Sequence, residues 1–216
     1  MFRHVPNILT GGRLILAAVF FGMLSYYQHD GRGDPFLLNT AFAVYVVALF
    51  SDFLDGYLAR KWKVEGAFGR VVDPFVDKVL VLGSFIFFAG KNFVIQEAHT
   101  QVVRTITGVA PWMVVLILAR ELLVTSLRGS AESGGQSFGA AFSGKLKMVL
   151  QSATILAILL YVNYFERRPD VDDAVRKYAQ YFRDICIWLT IAVTLISGLS
   201  YVQRGIHLYQ DRREKQ

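Results

Sequence analysis

Cysteine, histidine and proline are all scarce in this chain of 216 residues: one, four and five respectively. A lone Cys186 excludes a disulfide framework within the chain, and its place in an apolar run fits packing. His4, His29, His99 and His207 are scattered, with no HExxH and no Cys/His cluster, so a zinc site is not expected. The glycines form no GxGxxG after a strand, which removes that kind of dinucleotide site. No repeat at a fixed period is visible. No long polar stretch separates the apolar runs, so one membrane domain over residues 1–216 is expected.

What the chain does have is apolar mass. Hydrophobic residues make up 54% and aromatics 14%, while a soluble domain is usually about 45–50% apolar with Gly already counted. Mean hydropathy is +0.39. A spanning helix needs about 20 mostly apolar residues. Six stretches qualify: Ile8–Tyr27, Phe36–Leu58, Val72–Phe88 (continuing toward Phe93), Gly108–Leu127, Leu146–Tyr164 and Ile185–Val202. The expected fold is therefore all-α and polytopic, with six transmembrane helices around a polar site near the cytoplasmic face. The first run lacks a small-residue cleavage site and is too long for a signal h-region of about 7–15 residues, so it is read as a span.

The net charge is +6. In a membrane protein Lys and Arg flank spans and face anionic headgroups, which explains the charge without nucleic acid. Basic residues such as Arg60, Lys61, Lys63, Arg70, Lys145 and Lys147 favour an orientation with both termini inside. The segment joining the fifth and sixth runs mixes Arg167, Arg168, Arg176, Lys177 and Arg183 with Asp170, Asp172, Asp173 and Asp184. It reads as an interfacial amphipathic stretch. Ser130–Gly144, rich in Ser, Gly and Ala, reads as a flexible loop.

The chemistry concentrates between Asp52 and Asp77, in DFLDGYLARKWKVEGAFGRVVDPFVD. Asp52 and Asp55 are three apart, and Asp73 and Asp77 four apart, so each pair falls on one helix face. A short connection predicts that the second and third helices are antiparallel neighbours with facing carboxylates. Four such groups repel unless cations join them, and hard divalent ions prefer oxygen ligands. Ion pairing with Arg60, Arg70 or Lys78 at helix ends is the plainer alternative. Arg60 has the guanidinium geometry for a phosphate, or it snorkels. Gly56, Gly66 and Gly69 permit close approach of a ligand or a helix. Asn7 and Thr10 suit an N-cap as well as a ligand.

These residues fit D-x2-D-G-x2-A-R-x8-G-x3-D-x3-D through Asp52, Asp55, Gly56, Ala59, Arg60, Gly69, Asp73 and Asp77. The segment resembles the CDP-alcohol phosphotransferase family signature. Three further motifs resemble the bacterial phosphatidylglycerophosphate synthase branch of that family. They are Val-Pro-Asn-Ile-Leu-Thr-Gly-Gly-Arg at 5–13; Ala119-Arg120-Glu121-Leu122 with Arg128; and Gly144-Lys145-Leu146-Lys147. The last third of the chain carries no motif.

The resemblance implies transfer of a phosphatidyl group from CDP-diacylglycerol to glycerol 3-phosphate, giving phosphatidylglycerol phosphate and CMP. It implies two Mg2+ or Mn2+ ions on Asp52, Asp55, Asp73 and Asp77, with Asp77 as general base. The CDP-lipid would lie against Asn7, Thr10, Gly56, Ala59, Arg60, Gly66 and Gly69, with Arg13 a further candidate. Arg120, Arg128, Lys145 and Lys147 are expected to hold the acceptor phosphate, although Arg120 is equally placed to pair with Glu121. A homodimer in a bacterial inner membrane, with its site toward the cytoplasm, is the expected setting. The alternatives are a cardiolipin synthase taking phosphatidylglycerol, an inositol phosphate acceptor, or, from another class, a cation transporter. A transporter would continue acidic groups through the bundle, and none is visible.

Overall fold

The computed structural model describes residues 5–28, 34–62, 67–96, 103–133, 142–166, 168 and 170–214. Six long helices run in the order α1 (Val5–Tyr26), α2 (Pro35–Trp62), α3 (Ala67–Phe88), α4 (Pro111–Ser133), α5 (Phe142–Tyr161) and α6 (Asp173–Glu214). Between α3 and α4 lie a 3-10 turn, Lys91–Phe93, and a small antiparallel ribbon, β1 (Val94–Gln96) with β2 (Val103–Thr105). Val94 pairs with Thr105 and Gln96 with Val103.

Among the described residues, three helices hold segments long and apolar enough to cross a membrane: Pro35–Asp52, Leu146–Glu166 and Asp173–Ile206. Gly11–Tyr26 and Lys78–Phe88 are shorter apolar helical segments.

Helix starts follow local chemistry. The Asp34 carboxylate accepts from the Phe36 N–H at 3.2 Å, ahead of Pro35, whose missing N–H costs nothing in a first turn. Asp172 accepts from the Ala174 N–H at 3.0 Å and starts α6 in the same way. That cap corrects one expectation: residues 173–184 are the first three turns of α6, not a loop between spans. A helix needs no apolar sequence to form, so hydropathy alone placed its start too late. Nor does the third run continue to Phe93, because α3 ends at Phe88 and the chain turns into the ribbon. Likewise α4 persists to Ser133, inside the stretch read as a flexible loop. After α5 the chain widens into a π-turn over Val162–Glu166.

The core has the spacing of packed helix faces. Ala17, Phe20 and Leu24 of α1, and Leu38, Ala41, Tyr45 and Ala48 of α2, recur at three- and four-residue steps and are buried. Bulky apolar residues also face outward, among them Ile15, Leu122, Val149, Ile196 and Leu199. An outer surface so apolar suits lipid rather than water.

The expected facing of the α2 and α3 carboxylates falls largely on side chains outside the described residues. Both helices pack mainly on α1. Consecutive α1 rings divide the work: Phe20 lies 5.3 Å from the Tyr45 ring of α2, and Phe21 stacks 5.4 Å from Phe87 of α3. Glycine at 83 makes the second contact possible, since a Cβ there would stand 2.3 Å from the Phe21 ring.

Candidate active site

Asp52 lies in the α2 turn that closes the apolar span, at the helix end facing the short connection to α3. Its partner comes from α1: the Arg13 Nη1 donates to Asp52 Oδ1 at 2.5 Å. Arg13 is 4% exposed. A cation on an apolar helix needs such a partner, so its position inside the first apolar run was itself a signal. The pairing differs from the expected partners Arg60, Arg70 and Lys78. Lys78 instead donates to Thr125 Oγ1 at 2.6 Å, bridging α3 and α4.

The other signature residues have backbone places but no described side chains. Asp55, Gly56, Ala59 and Arg60 are on α2; Gly69, Asp73 and Asp77 are on α3; Asn7 and Thr10 are on α1. Their side-chain surroundings, and Gly66 altogether, lie outside the described residues. Among the described residues no group of three or more His, Cys, Asp or Glu could hold a metal ion. Asp52 still fits a cation site. A carboxylate offers about four lone-pair positions, and the Arg13 contact uses one of them.

The basic residues expected around the acceptor are better defined. In α4, Arg120 donates from Nε and Nη2 to Ser197 Oγ of α6, at 3.2 and 3.0 Å, and from Nη1 to Glu121 Oε1 at 2.8 Å. Its guanidinium also stands 5.6 Å from the Tyr201 ring centre. Gly198 gives it room, for a Cβ there would meet the Arg120 Cγ at 3.1 Å. All three nitrogens are thus engaged, and Arg120 ties α4 to α6.

Lys147, from α5, donates to the same Glu121 oxygen. Glu121 and Lys147 are 6% and 8% exposed, so one buried carboxylate holds two cations and joins α4 to α5, while Arg120 carries the link on to α6. The surplus positive charge of this trio is what an anion would meet. Arg128, two turns along α4, reaches Tyr201 Oη at 3.4 Å and has a buried Nε without a partner among the described residues. Lys145 is on α5, with its side chain outside the described residues. The structure therefore brings Arg120 and Lys147 together on Glu121, and sets Arg128 against Tyr201 on the α6 side of the same bundle.

Two residues that sequence reasoning passed over line this region. Gln151 follows Lys147 by one turn and is buried. Glu121 was read only as a partner for Arg120, yet it also organises Lys147. Polar residues at one-turn spacing inside an apolar span were the available signal.

A helical bundle with an apolar exterior and ionisable groups paired in its interior is of the membrane-protein class. Comparison with known proteins carries this further. A family model described as CDP-alcohol phosphatidyltransferase matches residues 3–196. The chain is 27% identical to the CDP-diacylglycerol–glycerol-3-phosphate 3-phosphatidyltransferase of Cereibacter sphaeroides, over 97% of this chain and 98% of that protein. Proteins of the same name from Bacillus subtilis and Haemophilus influenzae are 28% and 31% identical. The first match covers 94% of this chain and 95% of the relative, the second 76% and 80%. This chain belongs to the CDP-alcohol phosphatidyltransferase family, and it is an enzyme of that type.

Proposed function

We propose that this protein transfers the phosphatidyl group of CDP-diacylglycerol to glycerol 3-phosphate, releasing CMP and forming phosphatidylglycerol phosphate. The observation that carries this reading is the complete eight-position signature, Asp52 to Asp77, inside a family match spanning residues 3–196. The names of the relatives support the choice of acceptor.

In this reading Asp52, Asp55, Asp73 and Asp77 hold Mg2+ or Mn2+, two ions per site, and Arg13 fixes Asp52 for the task. Bound there, the ions neutralise charge on the pyrophosphate. Gly56, Ala59, Arg60, Gly66 and Gly69, with Asn7 and Thr10, cradle the cytidine and its α-phosphate. Asp77 accepts the proton of the acceptor hydroxyl. The hydroxyl oxygen bonds to the β-phosphorus, which carries the diacylglycerol, and the bond from that phosphorus to the bridging oxygen breaks as CMP leaves. Arg128, Lys145 and Lys147 attract the acceptor phosphate. Arg120, fully engaged with Ser197 and Glu121, acts by holding Glu121 and with it Lys147.

The same reading makes residues 1–216 one domain of six spanning helices. Its site faces the cytoplasm at a bacterial inner membrane, in a homodimer. The polar ends of α2 and α3 and the excess of Lys and Arg on that side support the orientation.

Purified protein with CDP-diacylglycerol and magnesium tests the reading. CMP release is followed with glycerol 3-phosphate, with phosphatidylglycerol, and with a chelator. Release that needs glycerol 3-phosphate and stops with chelator is the expected result. Release only with phosphatidylglycerol would reassign the acceptor, and no release with either would remove the proposed reaction.

A further inference from the structure

Gln151 is 2% exposed, and its side-chain Nε2 has no hydrogen-bond partner among the described residues. An amide NH2 carries two donors, and a buried donor without an acceptor is unfavourable. This one lines a cavity of about 180 Å³ between three helices. Lys78, Val81 and Leu82 contribute from α3, Glu121 from α4, and Lys147 and Met148 from α5. One water needs only about 10–15 Å³ of such space, so the cavity is of ligand size.

Its charge has a sign. Glu121 is matched by Lys147 and by Arg120, and Lys78 adds a further cation at the wall. The polar lining is therefore net positive, and its unmet capacity is a hydrogen-bond donor. That combination selects an anionic group bearing oxygen acceptors. The place is apt too, because Lys78, Val81 and Leu82 stand within the five residues that follow Asp77 in α3.

On the footing of the phosphatidyl-transfer reading above, we infer that this cavity receives the glycerol-phosphate part of the acceptor, and that Gln151 determines acceptor specificity by donating from Nε2 to one of its oxygens. Free glycerol 3-phosphate and the headgroup of phosphatidylglycerol both present that group. A site built to donate to a ligand oxygen discriminates strongly against molecules that lack it.

Gln151→Leu keeps the volume and removes the donor. In the full chain in detergent, with CDP-diacylglycerol and magnesium, the KM for the productive acceptor rises about 10-fold or more, while the KM for CDP-diacylglycerol is unchanged. Without turnover, glycerol 3-phosphate raises the Tm of the wild-type protein but not that of Gln151→Leu. Should Gln151→Leu fail to fold, Leu82→Phe narrows the cavity and carries the same two readouts. A response confined to phosphatidylglycerol identifies the lipid headgroup as the occupant and keeps the assignment of Gln151. An unchanged acceptor KM in a folded variant overturns the inference, as does a rise in the KM for CDP-diacylglycerol alone, which gives the cavity to the donor lipid. Wild-type protein that releases no CMP with either acceptor overturns both readings; wild-type turnover with unaltered variants overturns only this one.

Discussion

Two arginines in this protein bind the carboxylate of the very next residue, and their surroundings differ. Arg183 of α6 donates from Nε and Nη2 to Asp184, at 2.9 and 2.6 Å, and from Nη1 to the Ile106 carbonyl at 2.6 Å. It lies 4.2 Å over the Tyr161 ring, under the turn at Gly108. Asp184 is left partly exposed and serves that one arginine. Arg120 has the same kind of neighbour in Glu121, but there the carboxylate is buried and shared with Lys147. Among the described residues, donors without partners lie on the same bundle at Gln151 Nε2 and Arg128 Nε. Adjacent positions on a helix do not face one another, so in each case the long arginine arm reaches round. The ion pair itself says little about function. What separates the two places is whether donors remain unmatched around it.

That contrast can be broken or sharpened by substitution. Asp77→Asn, or removal of divalent metal by a chelator, is expected to lower CMP release at least about 1,000-fold with little change in the melting curve. Arg183→Lys, at the other place, should leave KM for both substrates unaltered in whatever protein folds. Next in size is Glu121→Gln, which strands two buried cations and should cost about 3–5 kcal/mol of stability. Asp184→Asn, removing a partly exposed acid, should cost about 1 kcal/mol or less. Thermal melts of the two variants in one detergent decide this, and equal losses would erase the contrast. Adding Lys147→Met to Glu121→Gln should recover part of the loss, because the stranded charges are coupled. Gly108→Ala is expected to fall between the losses at Glu121 and Asp184. Gly108 has φ +75°, and a Cβ there would stand 3.0 Å from the Asp184 Oδ1. A loss of about 1–2 kcal/mol with unchanged KM is the expected outcome.

Much of the helical frame was legible in the sequence because apolar runs and spanning helices have similar lengths. The six runs correspond to six helices, with some ends within a residue and others displaced by several, most of all the start of α6. The displacements have causes. Asp34-Pro35 and Asp172 are helix starts that depend on one side-chain hydrogen bond, which hydropathy does not register. The ribbon was missed because three-residue strands fall below the length at which alternation shows, although Val94-Ile95 and Val103 with Thr105 carry the β-branched residues. Of the site, the aspartate spacing stood out because it is local in sequence. The Arg13–Asp52 bond spans 39 positions and the Lys147–Glu121 bond 26, so neither is a pattern within one segment. Gln151 shows in the sequence only as a polar residue one turn after Lys147, and such a residue looks the same whether or not its donor is satisfied.

The length of α6 has a mechanical consequence. At 1.5 Å per residue, its 42 residues make a rod of about 63 Å, roughly twice the hydrocarbon thickness of a bilayer. A rod of that length stands out of the lipid or leans steeply within it. Its first turns carry Asp173 and Arg176, and its last turns carry Arg204, Arg212 and Arg213 in sequence, so both ends of the rod are charged. Because Ser197 and Gly198 of the same rod grip Arg120, a tilt of α6 imposed by a thicker or thinner membrane would be felt at Glu121 and Lys147. Bilayer thickness would then bear on the geometry of an enzyme that works on lipid.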